Sequence, residues 1–195
     1  MGCDMLSATG RKFLRGPRGT GFLWVRPEAL GYLEPHVVEI AAATWDGKRG
    51  FDWHHGARRF ETWELSYANV LGLSAAVQQA LDLGTDEIGR RALARGARLR
   101  DRLDAVPGIT THDLGAQRCA IVTCKVDGMA TAQVAAALAA QGINVSTTDP
   151  VQNQFDTEDR DVHPLVRLSP HYYNTEAEID RAVEVLIAVA EAAWV

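Results

Sequence analysis

Apolar positions along this chain form short runs near the start and longer periodic stretches further on. The run Cys3 to Leu6 predicts a buried strand, and Phe22 to Val25 predicts a second strand returning beside it. Pro27 to Leu33 predicts a short helix, with the proline at its first position. Pro35 to Ala43 is apolar but weakly periodic, and Trp45 to His55 has no clean period, which predicts a long loop. From Ser66 to Leu83, Val70, Leu73, Val77, Ala80 and Leu81 recur at helical spacing. A second helix is predicted from Asp86 to Val106, with Ile88, Leu93, Leu99, Leu103 and Val106 inward and Pro107-Gly108 as its stop. Beyond Ile109 the spacing shortens. Strands are predicted at Ile109 to His112, Ala120 to Val126, Ile143 to Thr147 and Leu165 to Ser169, with a helix from Ala130 to Gln141 stopped by Gly142. Thr175-Glu176-Ala177-Glu178 reads as a capping box that opens a final helix carrying Ile179, Val183, Leu186, Ile187 and Ala190. Strands with helices on one face predict a two-layer α/β unit.

Composition narrows the class. With 195 residues, 47% hydrophobic and 23% charged, the chain can bury one good core or two small ones. A net charge of -5 gives no reason to expect nucleic acid or an anionic membrane as partner. No apolar run approaches the roughly 20 residues of a membrane span, and no charged-then-apolar signal peptide opens the chain. Cys3, Cys119 and Cys124 lack disulfide-framework or zinc spacing, so a reducing cytoplasm is expected. His54-His55 is an adjacent pair without the i, i+4 spacing of a helical metal site, and no metal is expected. Arg90, Arg91, Arg95, Arg98, Arg100 and Arg102 lie along the second helix, interrupted by Asp101 and Asp104. They read as a solvated face, since no base-stacking aromatics accompany them.

The chemistry concentrates between Cys3 and Leu23. Small residues Ser7, Ala8, Thr9 and Gly10 precede one lysine, Lys12, and the glycine-rich turn Gly16-Pro17-Arg18-Gly19-Thr20-Gly21 follows. Arg11, Lys12, Arg15 and Arg18 put several cations in one short turn, which suits a phosphate or a carboxylate. A solvated basic turn between two strands has the same composition. The spacing is not that of a Walker loop.

Cys3-Asp4-Met5-Leu6, two free positions, Thr9-Gly10-Arg11-Lys12, six residues, then Gly19-Thr20-Gly21-Phe22-Leu23 resembles the cofactor-lysine signature of class V aminotransferases. The resemblance implies an α/β enzyme of the PLP-dependent fold type I, in which Lys12 forms a Schiff base with pyridoxal 5′-phosphate (PLP) and Thr9 and Arg11 contact its phosphate. An amine attacking an aldehyde must be neutral, which neighbouring cations favour, and once freed it is the natural proton shuttle at the substrate α-carbon. In the family this signature lies near the middle of a longer chain, with Met1 standing where a relative has another apolar residue. Residues 1–85 are therefore expected to be the C-terminal part of the PLP-binding large domain, 86–107 a connecting helix, and 108–195 the small C-terminal α/β domain.

Two further stretches fit the resemblance. Phe60-Glu61 before a turn and Gly72-Leu73 in the next helix are similar to the segment that reaches a neighbouring subunit's cofactor phosphate, which puts Thr62 among the cofactor-binding candidates and implies a homodimer with shared sites. Packing of Trp63 and solvation of Arg58 and Arg59 is the competing reading of that stretch. Arg167 lies in an apolar strand, where an unpaired charge is expensive. It is followed by Ser169 and by Tyr173-Asn174-Thr175, and in the family such an arginine clamps the substrate α-carboxylate, a task suited to a planar fork. A salt bridge to a carboxylate is its structural alternative. His163 and His171 flank Arg167 and are candidate lining residues.

The loop Thr148 to Pro164, where desulfurases carry a sulfur-receiving cysteine, contains none. Ile143-Asn144-Val145-Ser146, then Asp156 through Arg160, then His171-Tyr172-Tyr173-Asn174-Thr175 resemble the isopenicillin N epimerase-like subgroup, which implies an amino acid as substrate and transamination, epimerisation or carbon–sulfur lysis as the reaction. A truncated non-catalytic remnant and a plain phosphate-binding module are the rival readings.

Overall fold

The computed structural model describes residues 2–162 and 164–193; Met1 and His163, two positions weighed above, lie outside the described residues. The chain divides into two compact units, Met1–Gly84 and Thr85–Val195.

In the first unit β1 (Met5–Thr9) pairs antiparallel with β2 (Gly21–Val25), Met5 opposite Val25 and Thr9 opposite Gly21. The expected first strand, Cys3 to Leu6, is displaced by several residues, because Ser7, Ala8 and Thr9 pair with Leu23, Phe22 and Gly21 and so belong to the ladder. The pair is also less buried than expected: Met5, Phe22, Leu23 and Trp24 are all exposed. Pro27–Gly31 is a short 3-10 turn. The expected long loop contains a hairpin, β3 (Ala43–Trp45) against β4 (Phe51–Trp53). Its turn is organised by the Asp46 carboxylate, which accepts the Lys48 N–H at 2.8 Å and the Gly50 N–H at 3.1 Å. An Asx-type turn of this kind needs no hydrophobic period, so periodicity could not reveal it. Helix α1 (Tyr67–Leu83) follows, with Asn69, Gly72, Leu73, Ala76, Val77 and Ala80 forming its half-buried stripe.

The second unit opens with α2 (Thr85–Asp104), followed by β5 (Ile109–Thr111), β6 (Val122–Val126), α3 (Thr131–Ala140), β7 (Ser146–Thr147), α4 (Gln154–Arg160), β8 (Val166–Leu168) and α5 (Glu176–Ala192). Among the described residues the strands form one antiparallel sheet in the order β5-β6-β8-β7. Of the expected strand Ile143 to Thr147, Ser146 and Thr147 alone pair, while Ile143 and Val145 pack against the core. That core joins Leu99 and Leu103 of α2, Val122 and Cys124 of β6, Val134 and Leu138 of α3, Val166 of β8, and Val183 and Leu186 of α5. The α5 capping box is formed: the Glu178 N–H donates to Thr175 Oγ1 and the Thr175 N–H donates to the Glu178 carboxylate at 2.7 Å.

Helix α2 differs from expectation in three ways. It belongs to the second compact unit rather than standing between units. Ala92 is buried and Leu93 exposed, since the inward stripe runs Ile88, Ala92, Gly96, Leu99, Leu103. Its arginines are not a uniformly solvated face. Arg90 and Arg91 bind Glu87. Arg95 binds Glu176, and Arg98 and Arg102 bind Asp180 of α5. Arg100 is buried, 3% exposed, and ion-pairs with Asp113.

Leu186→Ala, at a fully buried position, should cost about 2–5 kcal/mol in urea unfolding. Phe155→Ala, at a position 85% exposed, should change stability by no more than about 0.5 kcal/mol. The hydrogen bond from Arg98, with the Arg102 contact, holds the Asp180 carboxyl down at about 2 against an ordinary 3.8. A depressed carboxyl contributes stability that is fully present above the ordinary value and lost as pH falls towards about 2. Asp180→Asn should therefore flatten the loss of stability in acid and leave the neutral-pH curve shape unchanged, as read by thermal unfolding from pH 6 to 2.

Candidate active site

Lys12 sits in an eleven-residue excursion between β1 and β2 whose neck is closed by the Gly10 N–H donating to the Thr20 carbonyl at 2.8 Å. Within it the Gly16 N–H donates to the Gly10 carbonyl at 2.8 Å, and the Arg15 N–H to the Lys12 carbonyl at 3.0 Å. Thr20 Oγ1 donates to the Pro17 carbonyl at 2.7 Å. The loop lies on α1. A Cβ at Gly72 would stand 2.6 Å from Pro17 Cγ, and one at Gly10 would stand 2.6 Å from Leu73 Cδ1, so two glycines permit the close approach. Arg15 Nη2 donates to Gln79 Oε1 at 2.9 Å, and Asn69 Nδ2 to the Arg18 carbonyl at 3.4 Å. Lys12 is thus three residues beyond its strand, on a backbone fixed at both ends and from below, while its own side chain and those of Arg11 and Thr9 are exposed. Thr9 Oγ1 makes one long bond, 3.4 Å, to the Thr20 carbonyl.

Thr62 is exposed in the irregular stretch between the 3-10 turn Gly56–Phe60 and α1. Neither half of the competing reading of this stretch describes it fully. Trp63 is 59% exposed rather than packed, whereas Arg59 is partly buried and donates from Nη1 to the Leu30 carbonyl at 3.2 Å.

In the second unit Arg167 stands mid-sheet on β8, opposite Thr123 of β6 and Ser146 of β7. Its neighbours Val166 and Leu168 point into the core, so strand alternation sends Arg167 to the other face. There it lines a cleft of about 490 Å³ with Asp113, Thr123, Asp156 and Arg160. Among the described residues its guanidinium has no ion pair or hydrogen-bond partner, which sets aside the salt-bridge alternative within this unit. Arg160, by contrast, donates to Asp156 Oδ1 at 3.0 Å and to the His112 carbonyl at 2.8 Å. Neither Arg160 nor Asp113 was among the sequence candidates. Arg160 closed the Asp156 to Arg160 segment of the family pattern with no role assigned to it, and Asp113 gave no signal beyond a charge that surface residues also carry.

The Tyr-Asn-Thr run has a structural task of its own. Asn174 Oδ1 accepts the His171 N–H at 2.8 Å, and Thr175 caps α5. His171 stacks on Tyr173 with ring centroids 4.9 Å apart. Cys124 is buried, and burial, with Asp113 nearby, pushes its thiol up to about 12, so it is no thiolate nucleophile. Cys119 is exposed on the loop before β6.

The family model for class-V aminotransferases matches residues 1–182. This chain belongs to the class-V aminotransferase family. A probable cysteine desulfurase of Xylella fastidiosa is 29% identical over 97% of this chain, which covers 45% of that protein. The apo cysteine desulfurase of Thermococcus onnurineus superposes with a TM-score of 0.84 at 22% identity, over 97% of this chain and 47% of that one. The cystine C–S lyase C-DES superposes with a TM-score of 0.74 in two structures, at 25% and 26% identity. Each covers 92% of this chain and 44% or 45% of that one. One holds glycine covalently linked to PLP and the other cysteine persulfide. The class-V chain thus spans about half the length of the curated relatives it matches. Its fold is that of the PLP-dependent fold type I enzymes. No helix among the described residues is long and apolar enough to cross a membrane.

The loop clamp generates a prediction. Gly72→Val would drive a side chain into Pro17 and lift the Lys12 loop from α1. Limited trypsin digestion should then cut faster at Arg11, Lys12, Arg15 or Arg18, with the rate of cleavage elsewhere unchanged.

Proposed function

We propose that this chain forms part of a PLP-dependent enzyme that acts on an α-amino acid and, among the family's reactions, cleaves a carbon–sulfur bond. The observation that carries the reading is Lys12: an exposed primary amine on a loop fixed at its neck and against α1, with Arg11 and Thr9, both exposed, close to it in the chain. That donor set fits the group, with an amine for an aldehyde and a cation and a hydroxyl for a phosphate. Lys12 would hold PLP covalently, Thr9 and Arg11 would take its phosphate, and Thr62 would contribute from a second subunit of a homodimer. PLP supplies, when bound, an electron sink for the bond broken at the substrate α-carbon. Arg167, in the second unit, would receive an α-carboxylate through its planar fork. The Lys12 amine moves the proton at the α-carbon.

Carbon–sulfur lysis is favoured over transamination and epimerisation by the relatives named above, the probable cysteine desulfurase and the cystine C–S lyase. Residues 148–164 hold no cysteine, and α4 with its Arg160–Asp156 pair occupies that region. Released sulfur would therefore leave without a persulfide on this segment. A cytoplasmic setting is part of the same proposal.

The test is an absorbance spectrum with added PLP. A band at roughly 410–430 nm, discharged by borohydride and missing in Lys12→Ala, is the expected result; an identical band in Lys12→Ala would assign the amine elsewhere. Arg167→Ala should raise KM for the amino acid by roughly a hundredfold or more and leave the band in place. A KM unchanged by that substitution would remove Arg167 from substrate binding.

A further inference from the structure

Every carboxylate lining the Arg167 cleft is matched by another arginine. Asp156 is held by Arg160 at 3.0 Å. Asp113 is held from behind by Arg100, whose Nε donates to Asp113 Oδ2 at 2.5 Å. The same guanidinium donates through Nη2 to the carbonyls of Cys119, at 2.5 Å, and Ile121, at 2.6 Å. Asp113 Oδ1 is occupied as well, accepting the Thr123 N–H at 2.8 Å and the Thr123 hydroxyl at 2.6 Å. Both side chains of the pair are nearly sealed from solvent, at 4% and 11% exposure.

Thr123 is the residue directly opposite Arg167 across the β6–β8 pairing. Cβ atoms of such partners lie about 5 Å apart, and an arginine fork extends well beyond that. The Asp113 carboxylate, bonded to Thr123, is therefore within one side chain of Arg167. It lines the same cleft and is a competitor for that guanidinium.

We propose that Arg100 is a positioning residue for the carboxylate site: it holds Asp113 on the Thr123 backbone and away from Arg167, and so keeps Arg167 the uncompensated cation of the cleft. The inference rests on the reading of Arg167 given above. A guanidinium suits the task because one planar fork bonds the carboxylate and two loop carbonyls together, a geometry a lysine cannot reproduce. The residue acts through Asp113 and does not itself touch substrate.

The test uses glycine as probe, since it carries the α-carboxylate and no side chain, with the full chain titrated by NMR and by calorimetry. Arg100→Gln should weaken glycine binding by about tenfold or more, because the freed Asp113 pairs with Arg167. Asp113→Asn alone should not weaken it. The double variant Arg100→Gln/Asp113→Asn should return to within about threefold of the unsubstituted chain. If the double variant binds as poorly as Arg100→Gln, Arg100 serves stability only and the proposal is overturned. Should Arg100→Gln fail to fold by circular dichroism, Thr123→Val asks the same question from the other oxygen. A loss of a few fold, reversed by Asp113→Asn, supports the proposal, and a loss that Asp113→Asn does not reverse overturns it. Glycine binding that is absent in the unsubstituted chain, or untouched by Arg167→Ala, overturns the carboxylate reading of Arg167 itself.

Discussion

Burying the Arg100 guanidinium is the constraint on which the second unit depends. A charge taken so far from water must be met by several hydrogen-bond partners, and removing one member of such a pair costs about 3–5 kcal/mol. Arg100 finds its partners in one carboxylate and two carbonyls of the loop between β5 and β6. That fastens α2 to the loop, and the loop delivers β6 at a set register. The register in turn places Val166 and Leu168 in the core and Arg167 on the open face. A slip of one residue would exchange those faces, burying Arg167 and exposing two aliphatic side chains. The ion pair thus sits upstream of the feature that gives the cleft its charge.

The first unit is held together differently. Its buried apolar residues among those described are Val25, Ala29 and Ala42, while Phe22, Trp24, Ile40, Trp45 and Phe51 remain exposed. Close backbone approach substitutes for a large core: the neck of the Lys12 loop, its glycine contacts on α1, and the carboxylate-centred turn of the β3–β4 hairpin. In the homodimer of the proposed function, such side chains would have a place to be buried.

How much of this could be read from residues depended on the range of the interaction. The long helices, the antiparallel return of β2 and the α5 capping box rest on local periodicity or on spacing within four residues, and these were legible. The β3–β4 hairpin was not, because Asp46 builds its turn by side-chain hydrogen bonds that leave no hydrophobic period. Lys12 was singled out by a motif of fixed spacing. The clamp beneath it, Pro17 on Gly72, joins positions 55 residues apart by shape, and no local pattern announces that.

Two arginines on either side of Asp113 carry the same point further. Arg100 and Arg167 are alike in kind, though Arg167 lies between Val166 and Leu168 whereas Arg100 lies between Leu99 and Asp101. Reading the helix as one solvated face assigned Arg100 the fate of its neighbours. Yet Arg98 and Arg102 reach Asp180 on the surface, while Arg100 turns inward to Asp113. On a helix, neighbouring positions are separated by about 100°, so the partner available to each depends on what packs there. In the proposal made above, the charge on Arg167 is a property of the packed unit: it stays available because Arg100, thirteen residues before Asp113, holds that carboxylate.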